Sequence, residues 1–344
     1  MVSLPLLLTF ICVFSLVTFL VLFGHVPALK QTPIGQAKTL LTIKLPSLLD
    51  KLDARLIQGR LRPVLQRSYQ RVAHERHPIV LWFYLILYCG CVCIYLLRAA
   101  PLLSTKHRMC LPILIAAPLW SLFKAASTDP GIITAENHAY YMQRYKYDQV
   151  LYRTGQDCRT CRRSKVARSK HCPLCNKCVA KHDHHCVWIN GCVGEQNMRF
   201  FLVFLISNII TFSYAFIVLV QILLAKREVA KASLSVLATL RLDPALGSLA
   251  LFSGICNLLV FVFLFYHLYL VWSGVTTNET LKFEDVRNAL HDGEIALVVR
   301  ERQAMLVKRE VVRKNEEITL RQLNNVYDAG WLANLSSVLQ PNAG

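Results

Sequence analysis

Seven of the 13 cysteines and four of the 11 histidines of the chain lie between Cys158 and Cys192. Their order is Cys158-x2-Cys161-x9-His171-Cys172-x2-Cys175-x2-Cys178-x4-Asp183-His184-His185-Cys186-x5-Cys192. Paired Cys-x2-Cys steps followed by further His and Cys are the spacing of structural zinc, which takes four nitrogen or sulfur ligands in a tetrahedron. Two closed sites use only eight of the 11 potential ligands. If they are built from six cysteines and two histidines, one cysteine and two histidines remain. A surplus thiol beside a surplus imidazole and a carboxylate points to an activated nucleophile.

The tetrapeptide Asp183-His184-His185-Cys186 does not stand alone. Ala167-Arg168-Ser169-Lys170-His171-Cys172 precedes it and Trp188-Ile189-Asn190-Gly191-Cys192-Val193-Gly194 follows it, with Asn197-x2-Phe200-Phe201 beyond. Together these stretches resemble the cysteine-rich domain of the DHHC protein S-acyltransferases, the palmitoyltransferases. The resemblance implies two interlaced structural zinc ions. Cys158, Cys161, His171 and Cys178 would hold the first, and Cys172, Cys175, His185 and Cys192 the second. It also implies palmitoyl-CoA as co-substrate, Cys186 as nucleophile, His184 as its base and Asp183 as the group that orients the imidazole. A free thiol with a pKa of about 8.5 is only partly ionised at neutral pH, so such help is needed. His182 is left unassigned and is expected at the surface. Lys177, Lys181 and Arg199 are expected to meet the CoA phosphates, and Trp188, Phe200, Phe201 and Phe204 to line the mouth of an acyl slot. One departure is visible: Val187 stands where many members have proline.

A finger of this length cannot bury a core of its own, so metal and the rest of the chain must hold it. That remainder is apolar: 54% of the 344 residues are hydrophobic. Crossing a bilayer core of roughly 30 Å takes about 20 helical residues. Five runs are long enough: Leu4–Phe23, Ile79–Leu97, Met109–Ser127, Phe200–Leu224 and Ala245–Val271. The first lacks a basic leader and reads as a retained anchor rather than a signal peptide. Lys124 interrupts the third near its end, where a lysine can snorkel to the interface. The expected fold is an α-helical polytopic membrane protein of about five spans with a small zinc-bound cysteine-rich domain. The expected domains are 1–128 (three spans and a basic loop), 129–199 (the zinc domain), 200–272 (two spans) and 273–344 (the tail).

A net charge of +18 invites a nucleic-acid reading, but the distribution argues for a membrane one. Segments 24–77, 128–199 and 273–344 hold 31 of the 39 Lys and Arg. Cytosolic loops carry this excess, partly through attraction to anionic lipid headgroups. The zinc domain and tail are therefore expected in the cytosol, where thiolates stay reduced and available to metal. No nucleic-acid partner is expected. Asn278-Glu279-Thr280 and Asn334-Leu335-Ser336 read as glycosylation sequons that this orientation leaves unused.

Residues 24–77 alternate apolar and basic positions in a pattern suited to an amphipathic surface helix or a solvated linker. Cys89, Cys91 and Cys93 are expected as packing residues, since alternate helix positions do not share a face. Asp129-Pro130-Gly131 makes a turn, and Tyr140, Tyr141, Tyr145, Tyr147 and Tyr152 are expected in the headgroup belt. His267, in the fifth span, is expected to bond a neighbouring helix. Thr276-Thr277-Asn278-Glu279 and Asn325-Val326-Tyr327-Asp328 resemble further elements of the same family. The wording of the tail is most similar to the family's fungal endoplasmic-reticulum branch. That likeness implies an endoplasmic-reticulum membrane location and membrane-protein substrates such as SNAREs, with cytosolic cysteines beside their anchors. Two rival readings are a non-catalytic membrane-anchored zinc module, which leaves the surplus thiol unexplained, and a transporter, which the uncharged, unrepeated spans do not suit.

Overall fold

The computed structural model describes residues 76–229, 235–300, 303–309, 318 and 325–341, with scattered positions between 32 and 48. The expected span Leu4–Phe23 and the amphipathic pattern of 24–77 lie outside the described residues. Contacts divide the chain into two units, Met1–Trp120 with Phe204–Leu264 and Ser121–Val203 with Phe265–Gly344.

Among the described residues, four helical stretches are long and apolar enough to cross a membrane. The first is α1 (Ile79–Ile94), prolonged by a π turn and a 3-10 turn to Leu102. The others are α2 (Thr105–Ser127), α4 (Met198–Val229) and α6 (Pro244–Trp272). In the first unit α2 tolerates Pro118 because its missing N–H is made good from outside. The carbonyl four residues back, Leu114, accepts the Thr211 hydroxyl at 2.8 Å, and Tyr88 donates to Ile115 O at 2.9 Å. Asp243 caps α6 and pairs with Lys226 at 2.6 Å and Arg98 at 3.2 Å, closing the connection that holds the short α5 (Val236–Arg241). Cys91 packs near Phe252 and Cys256, whereas Cys89 and Cys93 are exposed.

The second unit holds α3 (His138–Arg144) and three small antiparallel hairpins. They are β1–β2 (Asp157–Cys158, Arg163–Ser164), β3–β4 (Lys170–Cys172, Lys177–Val179) and β5–β6 (His184–Cys186, Gly191–Val193). Arg162 and Asn176, each following the second cysteine of a Cys-x2-Cys step, take positive φ and turn the chain back. Asp129 accepts from the Gly131 and Ile132 N–H groups, and the turn lies alongside Val179–Ala180 through the Ala180-to-Gly131 bond at 2.8 Å. A Cβ on Gly194 would come 2.4 Å from the Pro130 carbonyl, so only glycine lets these strands meet.

Past α6 the chain turns into α7 (Thr277–His291), which opens on a capping box between Thr276 and Glu279. The hairpin β7–β8 (Ile295–Arg300, Gln303–Lys308) buries Leu297 and Leu306 beside Val150. Finally α8 (Trp331–Leu339) is tied back: Asn334 donates to Trp272 O at 3.2 Å and Asn325 to Ser273 O at 2.9 Å.

Candidate functional site

Hairpin register explains how eight donors come together. His171 stands directly opposite Cys178 across β3–β4, and His185 opposite Cys192 across β5–β6. Opposed residues of an antiparallel pair have neighbouring side chains. Each cross-strand His/Cys pair meets one Cys-x2-Cys step, giving Cys158/Cys161/His171/Cys178 and Cys172/Cys175/His185/Cys192, with the donor atoms of each group within 4.8 Å of one another. Because side chains alternate along a strand, adjacent His171 and Cys172 face opposite ways and serve different groups. The interlacing is thus a property of β3.

The donors fit zinc. Zn–S of about 2.3 Å and Zn–N of about 2.0 Å put tetrahedral donor atoms roughly 3.5–3.8 Å apart. His185 Nδ1 lies 3.5, 3.4 and 3.7 Å from the sulfurs of Cys172, Cys175 and Cys192, and Cys175 lies 3.6 Å from Cys192. His171 Nδ1 lies 3.3 Å from Cys161 and 3.8 Å from Cys178. Within each step the second cysteine's N–H donates to the first sulfur at 3.4 Å, as a thiolate acceptor favours.

The same alternation separates the metal donor from the remaining thiol on β5. His184 and Cys186 share one face while His185 points to the other. Cys186 is buried, and its cross-strand partner is Gly191, which sets no side chain against it. His184 Nδ1 is 2.7 Å from Asp183 Oδ2. Burial acts to lower the His184 pKa, but the bonds to Asp183 and Cys186 outweigh it and push it up to about 10. Burial opposes ionisation of Asp183, yet its partners, His184 first, hold the carboxyl below the usual range.

Thr277 completes the carboxylate's shell. Its N–H donates to Asp183 Oδ1 at 2.8 Å and its hydroxyl to Oδ2 at 2.9 Å. Glu279, two residues on, takes Arg168 in a fork at 2.7 and 2.6 Å, both groups buried. The Arg168 guanidinium lies over the Tyr327 ring at 4.5 Å and donates to Gly274 O at 2.9 Å. Asp183, His184 and His267 also bring donor atoms within 4.8 Å. Asp183 and His184 already satisfy each other there, so this group is a hydrogen-bonded one rather than a third metal site.

Several expectations change. His182 is buried, 3% exposed, rather than at the surface. His267 sits against Asp183 and His184 as well as against Phe201 of α4. Tyr141 and Tyr152 are interior rather than at a headgroup belt, Tyr152 donating to Glu279 at 3.4 Å, while Tyr147 bonds Lys165 O at 2.6 Å. Lys181 donates to Ser337 at 3.1 Å and Arg199 to Leu339 O at 3.1 Å, each toward α8. Lys177 is exposed. A basic cavity that sequence reasoning missed, of about 560 Å³, is lined by Arg153, Lys165, Lys170 and Lys282 with Tyr152 and Asn278. Lys165 and Lys170 were visible in the finger, but only the fold brings Lys282 to them, its ammonium 3.8 Å from the Tyr152 ring centre.

Four described helices long and apolar enough to cross a membrane, with two Cys/His groups that could hold metal, define a polytopic membrane protein with a cysteine-rich metal domain. Comparison with known proteins agrees. Residues 152–284 match the family model described as DHHC palmitoyltransferase. The palmitoyltransferase swf1 of Emericella nidulans is 35% identical over 81% of this chain and 71% of its own length. That of Schizosaccharomyces pombe is 31% identical over 97% and 96%, and that of Candida albicans 32% over 93% and 95%. The chain belongs to the DHHC palmitoyltransferase family, and its activity is that of a protein S-palmitoyltransferase.

Proposed function

We propose that the chain moves a palmitoyl group from palmitoyl-CoA to protein cysteines through a thioester on Cys186. The observation that carries this reading is the single free thiol of β5 sharing a face with His184, which Asp183 holds at 2.7 Å. With the shared proton on His184, the Cys186 thiolate attacks the acyl carbonyl carbon. The carbon–sulfur bond to CoA breaks and His184 protonates the departing CoA thiolate. An acceptor cysteine then returns a proton to His184, attacks the Cys186 thioester and releases Cys186 as thiolate. Asp183 keeps the imidazole in the useful tautomer and stabilises its cation.

Both metal groups have four protein donors, so zinc supplies structure there and fixes the β5 loop. The basic cavity suits the CoA phosphates better than Lys177, Lys181 and Arg199 do. It is lined by Asn278, whose neighbour Thr277 binds Asp183. The acceptors are membrane proteins with cytosolic cysteines near the bilayer, SNARE-like in kind, and the location is the endoplasmic-reticulum membrane with the zinc domain in the cytosol. The 31 Lys and Arg of alternate segments support that orientation.

The test uses purified chain in lipid nanodiscs with labelled palmitoyl-CoA and a single-span acceptor bearing one juxtamembrane cysteine. Label should reach the acceptor as a hydroxylamine-sensitive thioester, and Cys186→Ser should block it. Transfer by the Cys186→Ser protein at the wild-type rate would refute the mechanism.

A further inference from the structure

The Asp183–His184 pair has a neighbour that the reaction just described does not use. His267 lies on α6, near its end, and is 1% exposed. Burying an imidazole at that depth, rather than an apolar side chain, costs desolvation that packing alone does not require. Its surroundings are specific. The ring centre is 5.7 Å from that of His184 and 5.1 Å from that of Phe201, and Phe201 itself meets His184 edge-on at 5.3 Å. The three ring centres form a near-equilateral triangle, so Phe201 and His267 together cover one side of His184. His267 Nδ1 is 3.9 Å from Asp183 Oδ2, the oxygen that already accepts from His184 and Thr277.

We infer that His267 is a positioning residue for the acyl-transfer reaction, acting through Asp183 and His184 and never touching the substrate. The inference rests on the proposed roles of Cys186, His184 and Asp183. Two contributions are separable. The ring packs against His184 beside Phe201, so the imidazole cannot swing toward it while its proton moves between sulfurs. The nitrogen facing the carboxylate supplies a polar contact to the same oxygen. At 3.9 Å it is beyond a good hydrogen bond, and a small ring rotation closes it as charge builds on the pair. A cavity of about 40 Å³ beside them is lined by both Asp183 and His267, giving the ring room for that rotation.

The nitrogen's position makes the proposal testable, because two amides reproduce different ring atoms. Asparagine places a nitrogen near Nδ1, glutamine near Nε2. His267→Phe keeps the packing and loses the donor. The readouts are the rate of Cys186 acylation by palmitoyl-CoA, the KM for that substrate and the zinc content, all in nanodiscs. His267→Phe should slow acylation about tenfold, the effect of losing one contact to a charged group. KM should stay within about twofold and both zinc ions should remain. His267→Asn should recover most of the rate and His267→Gln should not. Equal rates for the Asn and Gln proteins, or a Phe protein as fast as wild type, would overturn the proposal. Cys186→Ala runs alongside: label retained there refutes the thioester reading itself, whereas label lost there with a normal His267→Phe rate refutes only the role of His267.

Discussion

Thr277 donates twice to Asp183, through its N–H at 2.8 Å and its hydroxyl at 2.9 Å, across 94 residues of sequence. The capping box of α7 fixes Thr276 and Glu279 on either side, so Thr277 arrives at the carboxylate with its donors already aimed. The helix start thereby positions the residue that orients His184. Thr277→Val keeps the N–H and the shape but removes the hydroxyl. Acylation should fall about tenfold, as for one lost bond to an ionised acceptor, with zinc content unchanged. Thr277→Ser should restore it. A Val variant at full rate would remove Thr277 from the account.

Structural and reactive cysteines should separate cleanly. Cys175→Ala removes one of four donors and should release one zinc ion and lower thermal stability, since structural zinc contributes folding energy directly. Cys186→Ser should keep two zinc ions per chain. Loss of a zinc equivalent on replacing Cys186 would make it a ligand and break the assignment.

Arg168 and Glu279 are each other's compensation in the interior of the second unit, at 5% and 0% side-chain exposure. Removing one partner leaves a buried charge, which costs about 3–5 kcal/mol. Glu279→Ala should therefore lower the melting temperature more than the double replacement Arg168→Met with Glu279→Leu. The reverse order would show that the fork does not hold the two segments together.

Burial, with Arg168 nearby, pushes the Lys181 pKa down to about 8 from an ordinary 10.5. Between these values the unfolded chain carries a proton that the folded chain has lost, so folded stability rises as pH rises through the window. Lys181→Met should raise the melting temperature at pH 7 and flatten the rise between about pH 8 and 10. A Met variant less stable at pH 7 would mean that the bond to Ser337 outweighs the cost of burying the ammonium.

What the sequence made legible was local. The ligand steps, the Asp183-His184-His185-Cys186 run and four described spans follow from spacing and hydropathy, because hairpins and single helices are set by neighbours in the chain. Contacts between distant segments were not legible. Nothing near Lys181 or Arg199 announces that α8 will meet them, and nothing near His267 announces Asp183. His182, unassigned and expected at the surface, is buried. Asn278 and Asn334 are buried, so unused sequons would reflect inaccessibility as much as sidedness. Protease access to a C-terminal tag in sealed microsomes is the better test of orientation: cleavage from outside is expected, and full protection would place the tail in the lumen.

The central claim is that the acyl group rests on Cys186. Peptide mass spectrometry of purified chain, quenched in acid after brief exposure to palmitoyl-CoA, locates it directly. One palmitoyl group, removed by neutral hydroxylamine, should be found on the peptide containing Cys186 and should vanish when an acceptor cysteine is added. A Cys186 peptide that stays unmodified while acceptor becomes palmitoylated would contradict the account.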